Sequence, residues 1–127
     1  MAHQFKKHYT RDEAQALLPE VRRWLEELAG LQNQLQMSDQ RLRALMEPGC
    51  EAGGDLVNTW VRQVADVRGV LAEFQGRELL IKDIDRGLVD FPAIIGGKEV
   101  FLCWEKDEEH IEFWHDLDSG YASRERL

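Results

Sequence analysis

A chain of 127 residues with 24 acidic and 16 basic side chains has room for one hydrophobic core and leaves none for a second domain of ordinary size. Its composition, 43% apolar and 31% charged, is that of a globular domain, and no apolar run approaches the roughly 18 residues of a membrane span. Residues 77–127 hold 13 acids against 7 bases and residues 1–76 hold 11 against 9, so there is no basic cluster to neutralise phosphates, which argues against nucleic acid as the main partner.

The first ten residues contain Lys6 and Lys7 but no apolar stretch behind them, so a secretory signal is not expected and a cytoplasmic location is. Thr10-Arg11-Asp12-Glu13 reads as a capping box, in which hydroxyl and carboxylate each satisfy a free backbone N–H at a helix start. Pro19 lacks the N–H that a helix interior needs, so the sequence predicts a short helix to Leu17 or Leu18 and a longer one with Pro19 in its first turn; a kink is the milder alternative. Val21, Leu28, Leu35 and Leu42, with Trp24, Leu31, Ser38 and Leu45 between them, form a coiled-coil seam that should end near Met46.

Pro48, Gly49, Gly53 and Gly54 supply breakers for a loop holding Cys50, and Asp55 is placed to cap a second helix. Val57, Trp60, Val64, Val67, Leu71 and Phe74 give that helix its own seam, with Gly76 as the expected left-handed residue past its end. The two seams should face each other in an antiparallel hairpin over residues 10–76, each helix roughly 30–40 Å long. Gly30 and Gly69 weaken the helices slightly and mark possible close contacts.

From Leu79 the apolar period becomes two, which predicts strands near 79–84, 88–95, 98–105 and 110–116. Gly96-Gly97 suits a two-residue hairpin turn and Lys106-Asp107-Glu108-Glu109 a four-residue one. These turns set Phe91 against Leu102, Val89 against Trp104, Leu102 against Phe113, Trp104 against Ile111 and Val100 against His115. One face then carries Val89, Phe91, Ala93, Val100, Leu102, Trp104, Ile111, Phe113 and His115 and should pack on the helices. The other carries Asp90, Pro92, Phe101, Cys103, Glu112 and Trp114, and a slip of one residue would exchange the faces. Residues 117–127 read as a polar, irregular tail, and the whole of 1–127 as one α+β domain: a helical hairpin on a three- to four-stranded antiparallel sheet.

Several groups in the sheet region could carry chemistry. Asp83, Asp85 and Asp90 around Gly87 offer oxygens to a hard cation, although position twelve of such a loop is Ile94 rather than glutamate, and a polar turn explains the same residues. His115 beside Asp116 and Asp118 could bind a transition metal or orient a general base, with His110 within reach if the turn bends; a hydrogen-bonded histidine at a strand end is the plainer account. Cys103 lies in an apolar strand, so a structural thiol fits better than a nucleophile, and two cysteines at this spacing form neither a disulfide framework nor a zinc pattern. Asp90 and Glu112 flank Cys103 in the expected register and could share a proton, or simply face solvent. Trp24 and Trp60 belong to the helical seams, whereas Phe101 and Trp114 would be neighbours on an open face that suits a partner or the folded-over tail.

Tyr9-Thr10 through Leu17-Leu18-Pro19, Lys82-Asp83, Asp85-Arg86-Gly87-Leu88-Val89-Asp90-Phe91-Pro92, Leu102-Cys103-Trp104 and Trp114-His115 together resemble a bacterial family known as domain of unknown function 2203. The resemblance covers nearly the whole chain, and only the ending departs from it, with Ser123 where the family has glycine before Arg124. It implies no catalytic residues. The expected function is an interaction or assembly module that self-associates, most simply as a dimer, through leftover seam surface or the Phe101 and Trp114 face. The alternative is a small-molecule or metal-binding protein, or an enzyme, that uses Arg86, Asp90, Trp104, Trp114 and His115, or a metal held by Asp83, Asp85, His115 and Asp118.

Overall fold

The computed structural model describes residues 3–45 and 54–127, so the expected helix end at Met46 and the loop around Cys50 lie outside the described residues. Helix α1 runs Arg11–Leu45 and α2 runs Gly54–Gln75; strands β1 Leu80–Asp83, β2 Leu88–Ile95, β3 Lys98–Glu105, β4 Phe113–Asp116 and β5 Glu125–Arg126 follow. The strands form one antiparallel sheet in chain order. The sheet therefore has five strands rather than three or four, and the tail is regular: a short 3-10 turn at Tyr121–Ser123 leads into β5, which pairs with β4.

The capping box forms as its residues dictate: Glu13 N–H donates to Thr10 Oγ1 at 3.1 Å and Thr10 N–H to Glu13 Oε1 at 3.0 Å. Pro19 does not break the helix. It sits inside α1 on the exposed side, while Ala14, Leu18, Val21, Leu25 and Leu28 bury a continuous stripe past it. Tertiary packing on both sides of the proline outweighs the lost backbone bond. Trp24 meets Phe74 edge-on, with centroids 5.6 Å apart, and farther along α1 Leu31 shares a groove with Ala65 of α2, so the hairpin is antiparallel.

Asp55 falls within α2 rather than before it, and Gly76 is not the left-handed residue at its end. Glu78 takes that conformation, at φ 58°. Leu79 N–H donates to Phe74 O at 3.0 Å and Glu78 N–H to Gln75 O at 3.1 Å, the paired bonds of a Schellman cap that normally uses glycine. Buried Leu79 and Phe74 provide its usual apolar contact. The side chain at this site has a use: Glu78 Oε1 accepts the backbone amides of Lys6 and Lys7 at 3.0 and 2.8 Å.

Gly96 and Gly97, at φ 58° and 79°, close the β2–β3 hairpin and set Ile95 against Lys98, Phe91 against Leu102 and Val89 against Trp104, as expected. The next connection departs from expectation. Strand β4 begins at Phe113, and Leu102 pairs with Trp114, Phe101 with His115 and Cys103 with Phe113, one residue from the predicted register. Ile111 is the cause. Its N–H donates to Gln15 Oε1 at 2.8 Å, its carbonyl accepts Arg11 Nε at 2.8 Å, and its side chain is fully buried, so α1 holds it out of the ladder.

The slip exchanges the β4 faces. Val89, Phe91, Ala93, Val100, Leu102 and Trp104, joined by Ile111 and Trp114, pack against α1 and α2. Asp90, Pro92, Phe101, Cys103, Phe113 and His115 share the other face, and only Phe113 among them is more than slightly exposed. Phe101 and Trp114 thus lie on opposite faces, not side by side, and neither forms an open patch. Phe5 packs edge-on against Phe101, and the chain then rounds the free edge of β2, where Tyr9 N–H donates to Pro92 O at 2.7 Å. Arg124 and Tyr121 of the tail lie over Phe113 beside Cys103, and β5 extends the sheet beyond β4.

Candidate functional site

Asp90, Cys103 and His115 meet on the second sheet face, each no more than 2% exposed. Pairing of Asp90 with Cys103 places carboxylate and thiol side by side; pairing of Phe101 with His115 brings the imidazole within reach of both. A carboxylate oxygen, the sulfur and a ring nitrogen of the three all lie within 4.8 Å of one another. His115 Nε2 is 3.0 Å from Asp90 Oδ2, and Nδ1 is 2.8 Å from the backbone oxygen of Asp116. A carbonyl can only accept, so Nδ1 carries a proton and a neutral ring presents the Nε2 lone pair to the cluster.

Burial pushes the Asp90 carboxyl upward, and His115 partly offsets it. Its Oδ1 has no hydrogen-bond partner among the described residues. Burial, with the charge of Asp90 beside it, pushes the Cys103 thiol up to about 12, so Cys103 is not a free thiolate nucleophile. The Arg124 guanidinium lies on the tail side of the thiol, and its charge opposes that upward shift. That guanidinium is fixed by Glu108 Oε2 at 2.8 Å and lies between the rings of Phe113, 3.9 Å away, and Tyr121, 4.1 Å away. Arg86 stacks on Tyr121 at 4.3 Å and reaches Glu105 at 3.1 Å. Alternating cations and rings therefore bind the tail over the site.

The other sequence candidates are dispersed. Arg86 serves the stack and does not join Asp90. Asp83 Oδ1 accepts the Arg86 N–H at 3.0 Å, the polar turn weighed against a cation loop, while Asp85 and Asp118 are exposed and join no ligand cluster with His115 among the described residues. Trp104 is core, its indole donating to Glu108 O at 2.9 Å, and Trp114 packs on the same core. Glu112 pairs with Arg126 at 3.2 Å instead of flanking Cys103, and His110 is exposed. Arg124 is the residue that sequence reading missed; its only signal is its place beside Tyr121 in the tail.

The hydrophobic seams and the sheet define an α+β protein in which a helical hairpin covers one face of an antiparallel meander and the two terminal segments cover the other, over an Asp–Cys–His cluster. The chain belongs to the family described as "Uncharacterized conserved protein (DUF2203)", whose sequence model matches residues 7–127. No curated protein and no solved structure matches it. Among the described residues no helix is long and apolar enough to cross a membrane.

Proposed function

We propose that this chain is a cytoplasmic assembly module that forms a homodimer through the distal half of its helical hairpin. The observation that carries this reading is the imbalance of burial along the hairpin. Past Leu28, the only fully buried residue of α1 is Ser38, and α2 buries only Val70 and Phe74, both near the sheet. Leu31, Leu35, Leu42 and Trp60 are half-buried, while Met37, Val57 and Val61 are 54%, 40% and 53% exposed.

Two helices alone close one seam and leave the flanks of that seam wet; two such hairpins together make a four-helix coiled-coil bundle with a shared core. Met37 and Val61 are equally distant in sequence from the Trp24–Phe74 contact, so they stand at one level of the arm. Charge supports an antiparallel arrangement of the two arms. The groove of about 460 Å³ near the base has an apolar floor of Trp24, Leu31 and Val70 with Glu27, Asp66 and Glu73 at its rim. The distal arm carries Arg41 and Arg62, together with Arg43, which pairs with Asp39 at 3.1 Å. The Asp–Cys–His cluster is buried, each residue no more than 2% exposed, so it offers no contact surface of its own.

Light scattering coupled to gel filtration should give the mass of a dimer, and Val57→Glu with Val61→Glu should give a monomer of unchanged helical content. A wild-type chain that stays monomeric at high micromolar concentration overturns the proposal.

A further inference from the structure

The geometry points to a closed transition-metal site, of the zinc class, formed by Asp90, Cys103 and His115. With one proton on His115 Nδ1 held by the Asp116 carbonyl, the neutral ring turns its Nε2 lone pair toward Asp90 Oδ2 at 3.0 Å, where it can ligate an ion. A contact of that length is closed either by one shared proton or by a cation bound to both groups, and the geometry suits both. A backbone acceptor on the far nitrogen is also the partner that orients metal-ligating histidines.

Carboxylate oxygen, imidazole nitrogen and sulfur are the ligand types that zinc takes, with bonds of about 2.0–2.3 Å that place tetrahedral ligand atoms roughly 3.3–3.8 Å apart. The three groups lie within 4.8 Å of one another, close to that shell. Asp90 Oδ1 is the second, independent observation: a buried carboxylate oxygen without a partner, on a residue 1% exposed, able to complete the coordination. Charge also balances, since a divalent ion with one thiolate and one carboxylate is neutral, as burial requires. The charge of Arg124 near the sulfur then favours the thiolate. Binding exchanges the thiol proton for the ion and releases that proton to solvent.

The exposed group His3, His8 and Glu99 also brings three donors together, but His8 Nε2 is bonded to Glu99 Oε2 at 2.7 Å and Glu99 is occupied by the amides of Gln4 and Phe5. It serves as the control.

Untagged protein should be stripped with chelator and titrated with Co²⁺ and Zn²⁺. About one equivalent per chain should bind, with a thiolate-to-cobalt charge-transfer band, and Zn²⁺ should raise Tm by several degrees. Cys103→Ser should abolish the band. Asp90→Asn removes a ligand while leaving a neutral amide able to donate to His115 Nε2, so it should fold, melt no lower than stripped wild type and show no Zn²⁺ response. His3→Ala with His8→Ala should retain full binding. The site is refuted if wild type shows neither band nor Tm response, or if binding persists in Asp90→Asn and Cys103→Ser and disappears in the His3, His8 variant.

Discussion

Phe101 pairs with His115 across β3 and β4, their rings tilted with centroids 5.5 Å apart. This single pairing decides which residues can meet. With Phe101 opposite His115, the imidazole shares a face with Asp90 and Cys103, and Trp114 turns into the core. One residue the other way, His115 would lie under the helices and the three groups would be separated by the sheet.

The N-terminal segment is held to the sheet by Glu99, whose carboxylate accepts Gln4 N–H at 2.8 Å and Phe5 N–H at 3.0 Å and meets His8 Nε2 at 2.7 Å. Burial opposes its ionisation, but these partners outweigh it and lower Glu99 from 4.5 to about 2. A carboxyl lowered by folding stabilises the native state above its unfolded pKa and loses that contribution as pH falls through the folded one. The contribution of Glu99 is therefore complete above 4.5 and disappears toward 2. Glu99→Gln should lower Tm at neutral pH and flatten its dependence on pH across that window, as followed by thermal melts at stepped pH.

Glu78 combines an unfavourable backbone conformation with a useful side chain. Glu78→Ala keeps φ near 58° and loses the acceptor for Lys6 and Lys7, whereas Glu78→Gly loses the acceptor but relieves the backbone. Denaturant unfolding should find the alanine variant less stable than the glycine variant by about 1 kcal/mol, the cost of a left-handed non-glycine residue.

Arg124 closes the tail over Cys103. Arg124→Ala loses the Glu108 pair and two ring contacts and should cost about 1–2 kcal/mol. In a Cys50→Ser background it should also speed modification of Cys103 by an aromatic disulfide under native conditions. Arg124→Lys keeps the charge without the flat stacking surface and should fall between the two.

Glycines separate by backbone. Gly87 has φ 64°, and an added Cβ would stand 2.6 Å from Cβ of Lys106, so Gly87→Ala should destabilise by about 2–3 kcal/mol. Gly30 is helical with nothing within 4 Å, and Gly30→Ala should stabilise by about 0.5–1 kcal/mol. Chemical denaturation of both variants tests the pair.

What the sequence determined by itself rests on short-range chemistry. Thr10 and Glu13 lie one helical turn apart, Gly96 and Gly97 tolerate the positive φ of a tight hairpin, and apolar spacing of three and four, then of two, separates helix from strand. Each involves neighbours along the chain, so the capping box, the hairpin and the β2–β3 register were all legible, as was family membership. The motif residues Asp90, Cys103 and His115 were each visible too, but not their meeting. A seven-residue connection does not fix its own register, and Ile111 is placed by Gln15 and Arg11 of a distant helix. The greater hydropathy of Trp114 over His115 was the available local signal for the correct face. Pro19 and Gly76 followed the same division: local preference predicted a break and a left-handed glycine, while packing on the sheet kept α1 continuous and moved the cap of α2 to Glu78. Tertiary structure decided these points because burying one more apolar side chain outweighs one local hydrogen bond or one backbone preference.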